Sequence, residues 1–267
     1  MADRLAGKVA IVTGAGARQG DGMGVGQATA TLFAREGASV LVVDLNEENA
    51  RTTQKALAEE GLTAGICIAD VSKPDNCERL ANEAIHQFGR LDILANCVGI
   101  SSPGKVTEIS EEDWDRCLDV DLKSMAFTSK FAIPQMIKNG SGSIIHISSI
   151  DGIRAGFSAN IPYAAAKGGI ISMTRSMAVH HGREGIRVNC IAPGHLYTPM
   201  VSAALSAEDR ELRRKAGPLG IEGTAWDVAW ASVFLASDES RWISGVVLPV
   251  DAGILAATPL GMHHHLQ

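Results

Sequence analysis

Residues 8–27 read KVAIVTGAGARQGDGMGVGQ, and the fold turns on them. Residues 8–13 form a short apolar run rich in Val and Ile, the pattern of a strand buried on both faces. The run empties into a loop in which six glycines occupy the thirteen positions from Gly14 to Gly26. Such a backbone bends freely and lets a ligand come close. A helix predicted over 24–35 points its N-terminal N–H groups and the positive end of its dipole at this loop, where a pyrophosphate sits. The next predicted strand, 39–44, ends at Asp44, 18 residues beyond Gly26. That matches the ~20-residue interval to the acid that accepts hydrogen bonds from an adenosine ribose. Strand, loop, helix and acid together read as a dinucleotide site carried by Gly14, Gly24, Gly26 and Asp44. The plainer alternative is a mobile loop followed by a helix-capping Asp; the combined context weighs against it.

Working outward, the same alternation continues. Helices are predicted over 47–60, 73–88, 111–138 (one long or kinked region), 162–181 and 224–236. Strands are predicted over 64–69, 91–95, 143–147, 187–191 and 246–250. Continuous apolar strands alternating with helices imply a parallel sheet covered on both faces. The expectation is an α/β fold: a single Rossmann-like, doubly wound parallel sheet of about seven strands, forming one domain over residues 1–267. Residues 193–223 are the least regular stretch and read as a substrate-binding loop or lid.

Composition narrows the function. The 267 residues carry 24 basic and 30 acidic side chains, a formal net charge of −6. A nucleic-acid partner wants a basic face, so none is expected. No window approaches the ~18 consecutive apolar residues of a membrane span. The N-terminus leads directly into a strand without a signal-peptide pattern. The five cysteines form no CxxC pair, which indicates neither a disulfide framework nor a zinc site. The expected setting is reducing and cytoplasmic.

A second constellation is Ser149, Tyr163 and Lys167. Tyr163 and Lys167 lie four residues apart at the start of a predicted helix and so share a face. A neighbouring ammonium favours a phenolate, which turns a phenol with a pKa near ~10 into a usable proton-transfer group. Ser149 follows a predicted strand, at the sheet edge where open α/β folds bind ligands. A YxxxK spacing alone usually marks an ordinary helix face. Here, however, one of only two tyrosines in the chain sits in it, 14 residues after Ser149.

With these pieces in hand, the chain resembles the short-chain dehydrogenase/reductase family from Ala6 to about Leu255. The resemblance rests on Thr13-Gly14 with Gly24-Val25-Gly26, Asp70-Val71, Asn96-Cys97-Val98-Gly99, Ser149, Tyr163 to Lys167, Pro193-Gly194, Thr198 and Val250 to Gly253. It implies Tyr163 as general acid/base, Lys167 as the group that lowers its pKa and binds the nicotinamide ribose, and Ser149 as the holder of the substrate oxygen. It further implies that Asp70 and Val71 contact adenine, that Asn96 and Gly99 line the cofactor cleft, and that Pro193, Leu196 and Thr198 meet the carboxamide and phosphates.

The sequence departs from the family pattern in three places. About six residues, 18–23, are inserted in the glycine loop. Asp121 stands where the family has a catalytic asparagine, and its favourable partner is either Lys167 or Lys123. The Ser149-to-Tyr163 spacing is one longer than usual, which leaves Ser148 as a second candidate.

The expected function is an NAD-dependent oxidoreductase moving a hydride between nicotinamide and a secondary alcohol or ketone. Asp44 disfavours the extra phosphate of NADP, although Arg18 would offset this if the inserted loop folds inward. The alternatives are an epimerase or dehydratase on the same scaffold, or a non-catalytic NAD-binding regulator. The resemblance also implies a homotetramer formed through helices 111–138 and 162–181, with the apolar segment 248–260 at a second interface. No metal is expected. Cys97 is read as small packing rather than a reactive thiol, and His263–His265 as a flexible tail.

Overall fold

The computed structural model describes residues 3–203, 205–258 and 260–266. The two ends of the expected 1–267 domain and Pro259 of the segment 248–260 lie outside these residues. The first half runs β1 (Val9–Thr13), α1 (Val25–Arg35), β2 (Ser39–Asp44), α2 (Glu47–Glu59), β3 (Ala64–Ile68), α3 (Pro74–Phe88) and β4 (Ile93–Asn96). The second half runs α4 (Glu111–Leu118), α5 (Ser124–Lys138), β5 (Gly142–Ile147), α6 (Ile161–His181), β6 (Ile186–Pro193), α7 (Pro199–Ser202), α8 (Ala207–Ala216), α9 (Ala225–Ala236), β7 (Val247–Val250) and α10 (His263–Leu266).

The seven strands form one parallel sheet in the order β3-β2-β1-β4-β5-β6-β7. Both faces are covered, which explains the unbroken apolar strands. Ala10 and Val12 of β1 pack into a core with α1, α2 and α9, whereas Ile11 between them packs into a second core with α3 and α5. Val40 and Val42 against Leu41 and Val43 repeat the division in β2, as a period of two requires. The strand order reverses between β1 and β4, so a crevice opens beyond their C-terminal ends, where ligands of doubly wound sheets bind.

The region 111–138 is helical throughout, as expected, with a π-helical turn, Asp119–Lys123, that joins α4 to α5 and carries Asp121. Two expectations need correction. The stretch 193–223 is more regular than its composition suggests, because α7 begins at Pro199 and Ser206 caps α8 by accepting from the Asp209 amide. The His263–His265 tail is helical and packs on α8 rather than trailing free. The remaining boundaries move by at most two residues, as at β4, which starts at Ile93 rather than 91, and at β6, which ends at Pro193 rather than 191.

Candidate active site

At the crevice, the loop after β1 closes tightly on the start of α1. Gly14 takes a left-handed φ of +64°, and a Cβ on Gly26 would fall 2.2 Å from the Gly14 carbonyl oxygen. No side chain fits at 26, so the helix comes up against the loop backbone. Gly24 caps α1 without a side-chain hydrogen bond, and no acid stands in the first turn. The first amides of α1 therefore remain available to an anion. By contrast, α2 is capped by Asn46 and carries Glu47 and Glu48 in its first turn.

These groups open into a cleft of about 910 Å³, which Gly14, Gly24, Gly26, Asp44, Asp70 and Val71 all line. Gly99, Pro193, Leu196 and Thr198 line it as well, together with Ser149, Tyr163 and Lys167. Asp44 is held rigidly: Oδ2 accepts from the Gly16 amide at 2.9 Å and Oδ1 from the Asn46 amide at 3.0 Å. Gly16 escaped the sequence reading, and a Cβ there would meet Asp44 and Asn49 at 2.7 Å. Arg18 of the inserted loop also lines the cleft.

Asn96 is placed differently from expectation. It ends β4 at 1% exposure, where its amide meets His146 Nδ1 at 3.2 Å and accepts from Thr128 at 2.8 Å. It braces the strand behind the cleft and does not line it. Burial, then the Lys167 charge, hold His146 down at about 3, so the ring is neutral.

Tyr163 opens α6 with Pro162 before it, and Lys167 follows one turn later. The Lys167 ammonium lies 5.2 Å from the Tyr163 ring centre, and the Ser149 hydroxyl accepts from the Asp151 amide at 3.1 Å. Ser148 is otherwise engaged, donating to the Lys167 carbonyl at 2.8 Å. Burial raises the Tyr163 pKa; Lys167 acts to lower it, as expected, and so does Ser149, but Asp121 and Asp151 add to the rise and the net is upward.

Behind this pair sits Asp121, at 0% exposure. Oδ1 accepts from the Ile100 amide at 2.8 Å, and Oδ2 lies 3.0 Å from Lys167 Nζ. Of the two lysines that sequence left open, Lys167 is the partner; Lys123 pairs with Asp119. Burial works against the Lys167 ammonium, but Asp121 and Tyr163 together outweigh it and the pKa is raised. Nζ also donates to the Ile147 carbonyl at 3.2 Å. A Cβ on Gly99 would touch both Asp121 Oδ2 and Lys167 Nζ at 3.2 Å, so glycine keeps this pair close to the cleft.

The inserted loop leans on the lid. The Tyr197 hydroxyl meets Asp21 Oδ2 at 3.4 Å, and the Arg210 guanidinium stacks 3.6 Å from the Tyr197 ring centre. Burial pushes the Cys97 thiol up to about 12, which fits packing rather than reactivity. No cluster of metal-binding side chains occurs among the described residues, and no helix among them is long and apolar enough to cross a membrane.

Comparison with known proteins completes the picture. A family model described as "Enoyl-(Acyl carrier protein) reductase" matches residues 19–255. The 3-oxoacyl-(acyl-carrier-protein) reductase FabG of Thermotoga maritima is 37% identical over 254 residues, which is 94% of this chain and 99% of that protein. The chain belongs to the short-chain dehydrogenase/reductase family. It is thus an oxidoreductase of a family that binds nicotinamide cofactors. Cis-4-hydroxycyclohexanecarboxylate dehydrogenase of Sinomonas cyclohexanicum, another member, is 38% identical over 257 residues, 96% of this chain and 100% of that protein. The crystal structure of a putative short-chain dehydrogenase/reductase from Burkholderia xenovorans superposes with a TM-score of 0.91 at 39% identity, over 96% of this chain and 99% of that one.

Asp151, His195 and Arg213 are among the polar residues of the cleft that sequence reading missed, as are Arg116, Asn160 and Asp209. Asp151 stands two positions after Ser149 and could have been found by that spacing. Nothing local distinguishes Arg213 from the other charges of α8.

Proposed function

We propose that this short-chain dehydrogenase/reductase is an NAD-dependent dehydrogenase of secondary alcohols, working in reverse as a carbonyl reductase. The observation that carries the reading is the convergence of Ser149, Tyr163 and Lys167 on the cleft that also receives Asp44 and the uncapped start of α1. The names of the relatives support it, since one denotes an oxoacyl reductase and another a hydroxy-acid dehydrogenase.

When bound, the nicotinamide supplies the hydride acceptor or donor. Ser149 and Tyr163 hold the substrate oxygen where negative charge develops. In oxidation Tyr163 takes the hydroxyl proton as the C–H bond breaks; in reduction it returns one to the carbonyl oxygen. Its raised pKa keeps the phenol protonated at neutral pH, so reduction finds the acid ready, whereas oxidation gains as pH rises. Lys167 is the fixed cation beside the phenol, and Asp121 positions it.

Asp44, anchored by two backbone amides, puts its carboxylate at the expected ribose site and repels a 2′-phosphate. The expected kcat/KM ratio favours NAD over NADP by at least about tenfold, or ~1.4 kcal/mol. Asp44→Ala narrows the ratio, and Arg18→Ala widens it. Equal kcat/KM for the two cofactors would overturn the assignment.

The proposed assembly is a homotetramer. Leu260, in the apolar C-terminal segment expected at a second interface, is 87% exposed, which supports this assembly. Light scattering is expected to give about four times the chain mass, and a particle of 28.1 kDa at micromolar concentration counts against it.

A further inference from the structure

We propose that Arg213 anchors a carboxylate of the substrate, so that the enzyme acts on hydroxy acids and oxo acids; this rests on the dehydrogenase reading above. Arg213 lies on α8 in the lid and lines the same cleft as Ser149 and Tyr163. Its neighbours have partners: Arg210 pairs with Glu222 and Arg214 with Glu211, each at 2.6 Å. Arg213 has no carboxylate at ion-pair distance among the described residues. Its one hydrogen bond there runs from Nη2 to the Leu196 carbonyl, 3.2 Å away.

That bond fixes one edge of a planar group with five N–H donors and leaves the others without protein acceptors among the described residues. A guanidinium stays charged throughout the working pH range, and here burial outweighs Asp151, Glu222 and Asp209, none of which comes within ion-pair distance of it. A carboxylate matches the free fork with two parallel hydrogen bonds. Attachment at Arg213, together with the reacting oxygen at Ser149 and Tyr163, holds a hydroxy acid at two points.

The surrounding charges are compatible with an incoming anion. His195, beneath Arg213, is held below the ordinary imidazole range by burial and then by the Arg213 charge, so it is neutral. Asp209 accepts from the Ser206 hydroxyl at 2.7 Å and serves the start of α8. Asp151 acts on Arg213 only at longer range, and burial raises its carboxyl above the usual range.

The test is titration of the enzyme–dinucleotide complex with cyclohexanecarboxylate and with cyclohexanecarboxamide. The wild type is expected to favour the acid by about tenfold to a hundredfold. Arg213→Gln brings the two within about twofold, Arg213→Lys restores part of the preference, and dinucleotide affinity is unchanged in both variants. Equal affinities in the wild type, or a preference that survives Arg213→Gln, overturns the proposal. So does a fall in dinucleotide affinity in place of acid affinity, or tighter binding of cyclohexyl phosphate than of the carboxylate. Turnover of 3-hydroxybutyrate and of its methyl ester is followed in parallel. Acid preference with no turnover of either supports the anchor and counts against the dehydrogenase reading alone.

Discussion

The Tyr163→Phe variant is expected to lose about 10²–10⁴-fold in kcat while binding NAD as the wild type does, the usual cost of removing a general acid/base. The phenyl ring keeps its place at the head of α6, and the Lys167 ammonium keeps its position over the ring. Only the hydroxyl is lost, leaving Ser149 to hold the substrate oxygen without a proton to exchange. The chain has one other tyrosine, Tyr197, and its hydroxyl faces Asp21 of the inserted loop. It does not take over. Steady-state turnover and cofactor titration on the purified variant check this, and retention of more than half the wild-type kcat would move the acid/base role elsewhere.

The second large effect is on stability. Asp121→Ala leaves the Lys167 ammonium, at 3% exposure, without its carboxylate, and leaves the Ile100 amide without its acceptor. Breaking a buried pair from one side costs about 3–5 kcal/mol. For a chain of this size that lowers Tm by roughly 10 °C. Asp121→Asn separates charge from shape, because the amide oxygen still accepts from Ile100. Removing the negative charge also removes one of the influences that raise Tyr163. The apparent pKa of kcat/KM for alcohol oxidation therefore falls in the Asn variant, with kcat changed less than tenfold. Thermal denaturation and paired pH profiles check both. An Ala variant within 1 kcal/mol of wild type, on the order of a surface substitution, or an Asn profile that coincides with or lies above the wild type, would return Asp121 to ordinary packing.

Much of this was legible in the chain. The alternation of β-branched runs and helices gave the sheet because each strand had to be apolar on both faces. The glycine loop and Asp44 were legible as walls of one cleft because both signals are local. The relation between Asp121 and Lys167 was not settled by sequence. Two lysines were compatible, and only the π turn at Asp119–Lys123 decides which one the carboxylate meets. Asn96 was misplaced because a motif at a strand end does not say whether its side chain faces the cleft or the interior. Arg213 was invisible because α8 is charged along its length. What sets it apart is the missing partner, a property of the folded lid. The pKa of Tyr163 depends on burial, which the helical spacing of Tyr163 and Lys167 does not report.

The contact of the inserted loop with the lid bears on how the protein can be altered. Asp21 touches Tyr197, Arg210 covers that ring, and Glu222 holds Arg210. The inserted loop at the start of α1 and the stretch that carries α7 and α8 are thus one mechanical piece, built from segments far apart in the chain. A lid transplanted from a relative with the family's shorter loop would arrive without its latch, and trimming residues 18–23 would loosen a cover they do not belong to. Chimaeras and directed-evolution libraries should exchange or vary the two together.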